Sequence, residues 1–176
     1  AFAWVNRTAA AWLGAFGIDV PSDEIYERLT ALATPLPPDN EGLVCEPLWR
    51  GTRRQPHATG TFRGVRFENF TPGHVARAVL TGIAAGLHSF YESAGESRPA
   101  SVERIIGSGN GLRKNPLLRD ILSQTFGLPV VLPAHHEEAA FGTALLAGSM
   151  TGMWPSLEDA GRCIRLVPSR ADTARP

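Results

Sequence analysis

Three glycines at alternating positions, Gly107, Gly109 and Gly111, with Ser108 and Asn110 between them, are the residues of this 176-residue chain best placed to do chemistry. Glycine carries no Cβ, so a turn built this way lets backbone pass close to a bound nucleotide. The surrounding stretch, VERIIGSGNGLRKNPLLRD from Val102 to Asp120, reads as a strand, the glycine turn and a helix opening at Asn115-Pro116. Such an arrangement gathers amide N–H groups near a helix start, where anions are stabilised. A second stretch, EEAAFGTALLA from Glu137 to Ala147, follows as a helix. Together the two point to the handling of ATP.

Two common nucleotide patterns fail on spacing. A dinucleotide fingerprint needs Gly-x-Gly-x-x-Gly, and counting from Gly107 its last glycine falls on Leu112. It also needs an acid for the ribose about 20 residues on, and Val130 to Pro133 offers none. A P-loop needs Gly-Lys-Ser/Thr, whereas Lys114 lies between Arg113 and Asn115.

Other chemistry-bearing residues have plainer explanations. His135-His136-Glu137-Glu138 is no metal site, because adjacent histidines point apart and a metal helix needs them four apart. Glu137 and Glu138 stabilise a helix N-terminus through its dipole, at about 0.3–1 kcal/mol each. Arg50, Arg53 and Arg54 read as a solvated basic loop. Trp4, Trp12, Trp49 and Trp154 read as core or interface anchors. Cys45 and Cys163 fit no metal or redox spacing and suit a reduced, cytoplasmic protein.

The elements that must position these groups follow from local signals. Thr8 to Phe16 is alanine-rich and predicts a helix closed by Gly17. A second helix starts near Pro21, with Ser22 or Asp23 as its N-cap, and runs to about Ala33. Thr34 to Gly42 is loop by its prolines, Leu43 to Leu48 has strand character, and Gly60 to Phe67 alternates as a strand broken at Gly64. Thr71-Pro72 opens a long helix with apolar residues at Val75, Val79, Ile83, Leu87 and Phe90. Glu92 to Ala100 is loop. Strand Val102–Ile106, helix Pro116–Phe126, strand Leu128–Leu132 and helix His136–Gly148 complete a β-α-β-α order, which argues for an α/β sheet with crossover helices. The tail, residues 169–176, is polar and predicted disordered.

Composition sets the frame. At 43% hydrophobic and 19% charged residues, with formal charge zero, the chain has ordinary globular composition, and its length suits one domain. A chain this long buries roughly 70% of its unfolded surface without disulfide or metal. Nothing in the charge suggests nucleic acid or membrane as a partner. No stretch is long and apolar enough to span a bilayer. The chain lacks an initiator Met and begins inside an apolar run, as a piece of a longer protein would.

The stretch GSGNGLRKNPLLRDILSQTFGLPVVLPAHHEEAAFGTALLAG resembles the adenosine-binding end of the FGGY family of carbohydrate kinases. There a glycine-rich turn, a Ser/Asn-Pro helix start, a G-x-P-V strand and an E-x-A-A-x-G-A-A helix follow in this order. Upstream, Cys45 to Phe67 is similar to the family's PFLxGERxP segment, and His74 to Phe90 to its RAVLEGVAFALR helix. The resemblance runs from about Ala10 to Val167, and its wording is most similar to the sedoheptulokinase-like branch.

The resemblance implies a ribonuclease-H-like α/β fold of the actin, Hsp70 and sugar-kinase superfamily, with a mixed sheet flanked by helices. It implies that residues 1–168 are the C-terminal, ATP-binding domain of a kinase, truncated at its N-terminus. ATP and Mg²⁺ are then the cofactors, and a sugar or polyol, sedoheptulose among them, is the substrate. The partners are the missing N-terminal domain and, as is frequent in the family, a second copy in a homodimer. Gly107, Ser108, Gly109, Asn110 and Gly111 become the floor under adenine and ribose, with Asn115, or Lys114 beside it, at the adenine edge. The catalytic base and the phosphate-gripping turn of such kinases lie upstream of the resembling segment, so no catalytic residue is named. Loss of a general base alone costs ~10²–10⁴-fold, and the chain by itself is expected to be inactive. Gly51-Thr52-Arg53 departs from the family's Gly-Glu-Arg. A reading from a different class is a non-catalytic actin-like module that binds nucleotide for regulation or assembly.

Overall fold

The computed structural model describes residues 1–53, 55–95 and 101–167. Arg54 of the basic loop, residues 96–100 and the predicted disordered tail lie outside the described residues. The chain forms two compact units, Ala1–Arg98 and Pro99–Pro176.

In the first unit, helix α1 spans Phe2–Ala15 and begins at Phe2 rather than at Thr8. Packing extends it: Val5 and Asn6 are buried, Phe2 meets Tyr26 with ring centroids 5.7 Å apart, and Trp4 stacks on Trp49 at 4.2 Å. Gly17 closes the helix as predicted, with φ +73° and the following Ile18 amide donating back to Leu13 O at 2.9 Å. Helix α2 spans Ser22–Ala33, and neither Ser22 nor Asp23 caps it; Pro21 holds that position. The Ser22 hydroxyl donates instead to Asn6 Oδ1 at 3.0 Å, and Asn6 Nδ2 donates to Ser22 O at 2.8 Å. A tertiary contact has displaced the local cap.

Strand β1, Val44–Glu46, pairs antiparallel with β2, Thr61–Arg63, with Cys45 opposite Phe62. The predicted alternation stops at Gly64, where φ is +73°, and Val65 and Phe67 are exposed rather than paired. Helix α3, Pro72–Glu92, is capped by Thr71 with Pro72 at its first position, as the Thr-Pro pair predicts. It packs on α2, α1 and β1. Leu29, Ala33, Leu43, Cys45, Val79 and Leu80 form the core of this unit.

A polar network fastens the turn before β1 to α3. Asn40, Glu41 and Gly42 adopt left-handed φ of +49°, +52° and +84° in succession, a conformation side chains resist unless held. The holding bonds are Asn40 Nδ2 to His74 O at 3.0 Å, Asn69 Nδ2 to Glu41 O at 3.0 Å, and His74 Nε2 to Glu41 Oε2 at 3.2 Å.

In the second unit, β3 (Ile105–Ile106) runs parallel to β4 (Val130–Pro133), and β5 (Leu166–Val167) runs antiparallel to β4, in the order β3-β4-β5. The sheet is therefore mixed. Strand β3 is shorter than Val102–Ile106, because pairing with β4 begins only at Ile105 opposite Val130. Helix α4, Asn110–Lys114, lies within what the sequence reads as turn. Helix α5 spans Pro116–Phe126 and ends at Gly127 with φ +65°. Helix α6 spans Glu138–Met150 and starts two residues after His136. Helix α7, Leu157–Gly161, and strand β5 are not signalled by the sequence. Leu117, Leu118, Ile121, Leu122, Val130, Val131 and Leu145 are buried and form the core here. No helix among the described residues is long and apolar enough to cross a membrane.

Candidate functional site

The glycine turn leaves the sheet at the end of β3. Gly107 is buried, and its amide donates to Val131 O at 2.8 Å, continuing the β3–β4 pairing. A Cβ at Gly107 would press on Leu112 Cδ1 at 2.6 Å, so the turn folds down tightly over the sheet there. Ser108 is exposed. Gly109 then takes φ +88° and serves as N-cap of α4, while a Cβ on either Gly109 or Gly111 would meet nothing within 4 Å. Of the five predicted floor residues, Gly107 is buried against the sheet, Gly109 is half-buried, and Ser108, Asn110 and Gly111 are exposed. The turn is anchored at Gly107 and open above Gly109 and Gly111.

Asn110 is the first residue of α4 and is exposed; Lys114 is its last and is also exposed. Asn115 joins α4 to α5 and is 7% exposed. Its Oδ1 accepts the Leu118 amide at 3.0 Å, which caps α5. Arg119 of α5 donates through Nη1 to the carbonyl oxygens of Leu112 and Arg113, the latter at 3.1 Å, and so satisfies the last turn of α4. At five residues, α4 is too short for a macrodipole that would hold a phosphate.

Beneath the turn lies a pair that sequence spacing does not reveal. Arg113 donates to Glu138 Oε1 from Nε at 3.0 Å and from Nη2 at 2.6 Å, and Nη2 also reaches Pro133 O at 2.7 Å and His135 O. Glu138 Oε1 accepts the Gly109 amide as well, at 3.4 Å. The hydrogen bonds from Arg113 hold the Glu138 carboxyl below its ordinary range; desolvation opposes them, and the amides of Glu138 and Gly109 add to the lowering. Glu138 does lie in the first turn of α6, yet the helix dipole accounts for only part of its role. Charges 25 residues apart carry no local signal, which is why spacing alone does not pair them.

The neighbouring histidine is engaged differently. His135 stacks on Phe141 with centroids 3.7 Å apart and planes 17° apart. Its Nε2 is buried and has no hydrogen-bond partner among the described residues.

The basic loop belongs to the first unit. Arg50 and Arg53 are exposed there. Thr52, standing where the resembling motif has an acid, closes the loop: its Oγ1 accepts the Gln55 amide at 2.9 Å and its own amide donates to Gln55 O at 2.9 Å. Of the tryptophans, Trp4 and Trp49 join Phe62 and Phe70 in one aromatic cluster. Trp154 packs beneath Gly148, and Trp12 is 62% exposed.

Residues 1–151 match the model of the "FGGY family of carbohydrate kinases, C-terminal domain". The chain is 34% identical over 160 residues to a glycerol kinase of Trichlorobacter lovleyi, covering 88% of this chain and 30% of that protein. It is 28% identical over 135 residues to a sedoheptulokinase of Mus musculus, covering 77% of this chain and 28% of that protein. Among solved structures, a xylulose kinase from Rhodospirillum rubrum superposes with a TM-score of 0.74 at 26% identity, over 97% of this chain and 33% of that one. The chain therefore spans about a third of the length of the relatives it matches.

Proposed function

Since the chain belongs to the FGGY family of carbohydrate kinases, as a C-terminal domain, we propose that it is the nucleotide-binding part of an ATP-dependent kinase that phosphorylates a sugar or polyol hydroxyl. The observation that carries this reading is the open glycine surface. Among the described residues, a Cβ at Gly109, with φ +88°, or at Gly111 would meet nothing within 4 Å, directly after a buried Gly107. A flat ring and a ribose can lie against backbone at such a place because no side chain intervenes.

The electrostatics favour the uncharged end of the nucleotide. Arg113 is neutralised by Glu138, and Arg119 is taken up by carbonyl oxygens. That leaves the exposed Lys114, at the far end of α4 from the glycine turn, as the cation of this segment. A site for the triphosphate would present unpaired cations or the start of a long helix. Gly107 to Gly111 therefore suit adenine and ribose, with Asn115 or Lys114 at the edge of the base. When bound, ATP supplies the γ-phosphoryl group, and these residues hold and orient its other end. Among the described residues, no group of three His, Cys, Asp or Glu side chains could hold a metal ion. Mg²⁺, which the family resemblance implies, would accompany the nucleotide's phosphates.

The glycerol kinase, sedoheptulokinase and xylulose kinase act on glycerol, sedoheptulose and xylulose by their names, so the acceptor is proposed as a class. Sedoheptulose is the first sugar to try, because the wording SGNGLRKNPLL and HHEEAAFGTALLAG resembles that branch. Phosphoryl transfer depends on positioning and charge stabilisation. The 176-residue chain, with no base or phosphate clamp identified in it, is proposed to bind nucleotide without turning it over.

Titration of the 176-residue chain with ATP and ADP tests the reading through the amide signals of Gly107 to Asn115. Saturable shifts confined to that segment are expected, while no shift at millimolar nucleotide overturns it. Sugar-dependent ATP consumption by this chain alone would overturn the assignment of the chemistry elsewhere.

A further inference from the structure

We propose that Arg113 and Glu138 are positioning residues that set nucleotide affinity by holding the glycine turn in its binding shape; this rests on the proposal that the turn is a nucleotide floor. Among the described residues, no side chain comes within 4 Å of where a Cβ at Gly109 or Gly111 would stand, and α4 contributes no buried residue. The shape of the turn is fixed from below: Val131 O holds Gly107, Arg119 holds the end of α4, and three further bonds converge on one carboxylate oxygen. Glu138 Oε1 receives the Gly109 amide and two donors of Arg113, and the same guanidinium ties in the carbonyl oxygens of Pro133 and His135. Four chain segments meet in this way: the glycine turn, the end of α4, the end of β4 with the loop after it, and the first turn of α6.

The arrangement needs a fork. A guanidinium presents planar donors to several acceptors at once, whereas a lysine ammonium is a compact point charge. The pair is also well shielded, with side-chain exposures of 13% for Arg113 and 23% for Glu138. A partly buried ion pair adds little net stability relative to apolar substitutes, but removing one partner leaves the other unpaired and destabilises. The core of this unit, from Leu117 to Leu145, does not include either residue. Loss of one partner should therefore register on ligand affinity as well as on folding, and melting curves separate the two effects.

The test uses the 176-residue chain with Arg113→Ala, Arg113→Lys and Glu138→Gln, and two probes, ADP and adenosine. Dissociation constants come from amide shifts, and melting curves run in parallel. Loss of charge-assisted hydrogen bonds predicts that Arg113→Ala weakens ADP about tenfold or more, with Arg113→Lys in between. Glu138→Gln keeps the side-chain shape and reports even where Arg113→Ala unfolds. Adenosine is decisive: a positioning role weakens adenosine and ADP by the same factor, because the effect lies at the base and ribose. Equal loss for both probes supports the proposal. Loss confined to ADP makes Arg113 a phosphate contact and overturns it, as do wild-type constants in all three variants. A wild-type chain that binds neither probe brings down the nucleotide floor itself, an outcome distinct from these.

Discussion

Asn115 Oδ1 accepts the Leu118 amide at 3.0 Å, and through that bond the residue that the family resemblance places at the adenine edge also starts helix α5. The two roles use different atoms. The cap engages the acceptor oxygen, and a purine nitrogen would engage the Nδ2 donor. Asn115→Ala removes both and should lower stability by ~0.5–2 kcal/mol, the usual worth of an N-cap. Asn115→Asp keeps the acceptor and removes the donor. We expect Asn115→Asp to keep the cap at some cost for burying a carboxylate. It should weaken adenosine, which carries no phosphate to be repelled, as well as ADP. A wild-type dissociation constant for adenosine in that variant would reduce Asn115 to a cap.

Local chemistry made this part of the chain legible. Helix α5 runs from Pro116 to Phe126 as the sequence predicts, because an Asn-Pro start and a left-handed Gly127 define both ends without distant help. Gly17 and the Thr71-Pro72 pair are readable for the same reason. The failures share the opposite property. Ser22 looks like a cap, but Asn6, sixteen residues away, claims its hydroxyl. Strand β5 exists only because Leu166 and Val167 find β4, and two residues leave no periodicity to detect. In the site, the glycines are visible as a composition, and Asn115 through the family resemblance. The Arg113–Glu138 pair is invisible because only the folded chain brings those segments together.

Two glycines of α3 make opposite predictions from one helix. A Cβ at Gly82 would overlap the Cys45 carbonyl and lie 2.9 Å from Pro47 Cδ, where β1 crosses the helix. At Gly86 it would meet nothing within 4 Å. Alanine gains about 0.5–1 kcal/mol over glycine in a helix interior, while overpacking costs about 1–3 kcal/mol. A backbone carbonyl cannot swing aside as a side-chain tip can, so overpacking should outweigh the helix preference at Gly82. Denaturant unfolding should therefore show Gly82→Ala as less stable than wild type and Gly86→Ala as more stable. A stabilised Gly82→Ala would contradict the close packing of β1 on α3.

The two cysteines should separate cleanly by reactivity. Cys45 is 2% exposed in β1, and burial pushes its thiol up to about 12 from an ordinary 9.0, with the adjacent Glu46 adding to the shift. Cys163 is exposed. A thiol reagent at mildly alkaline pH should titrate one group in the native chain and two after unfolding, since only the thiolate of an accessible cysteine attacks. The same shift fixes a pH dependence. Below about pH 9 the Cys45 thiol is protonated whether the chain is folded or not, and it contributes no slope. Between 9 and about 12 the unfolded chain releases the proton and the folded chain retains it, so stability falls as pH rises. Cys45→Ala would open a cavity, so Cys45→Ser and Cys45→Val together are the better variants. Both should flatten the fall of the unfolding midpoint above about pH 9 relative to wild type. An unchanged alkaline slope in both would place its origin in other groups.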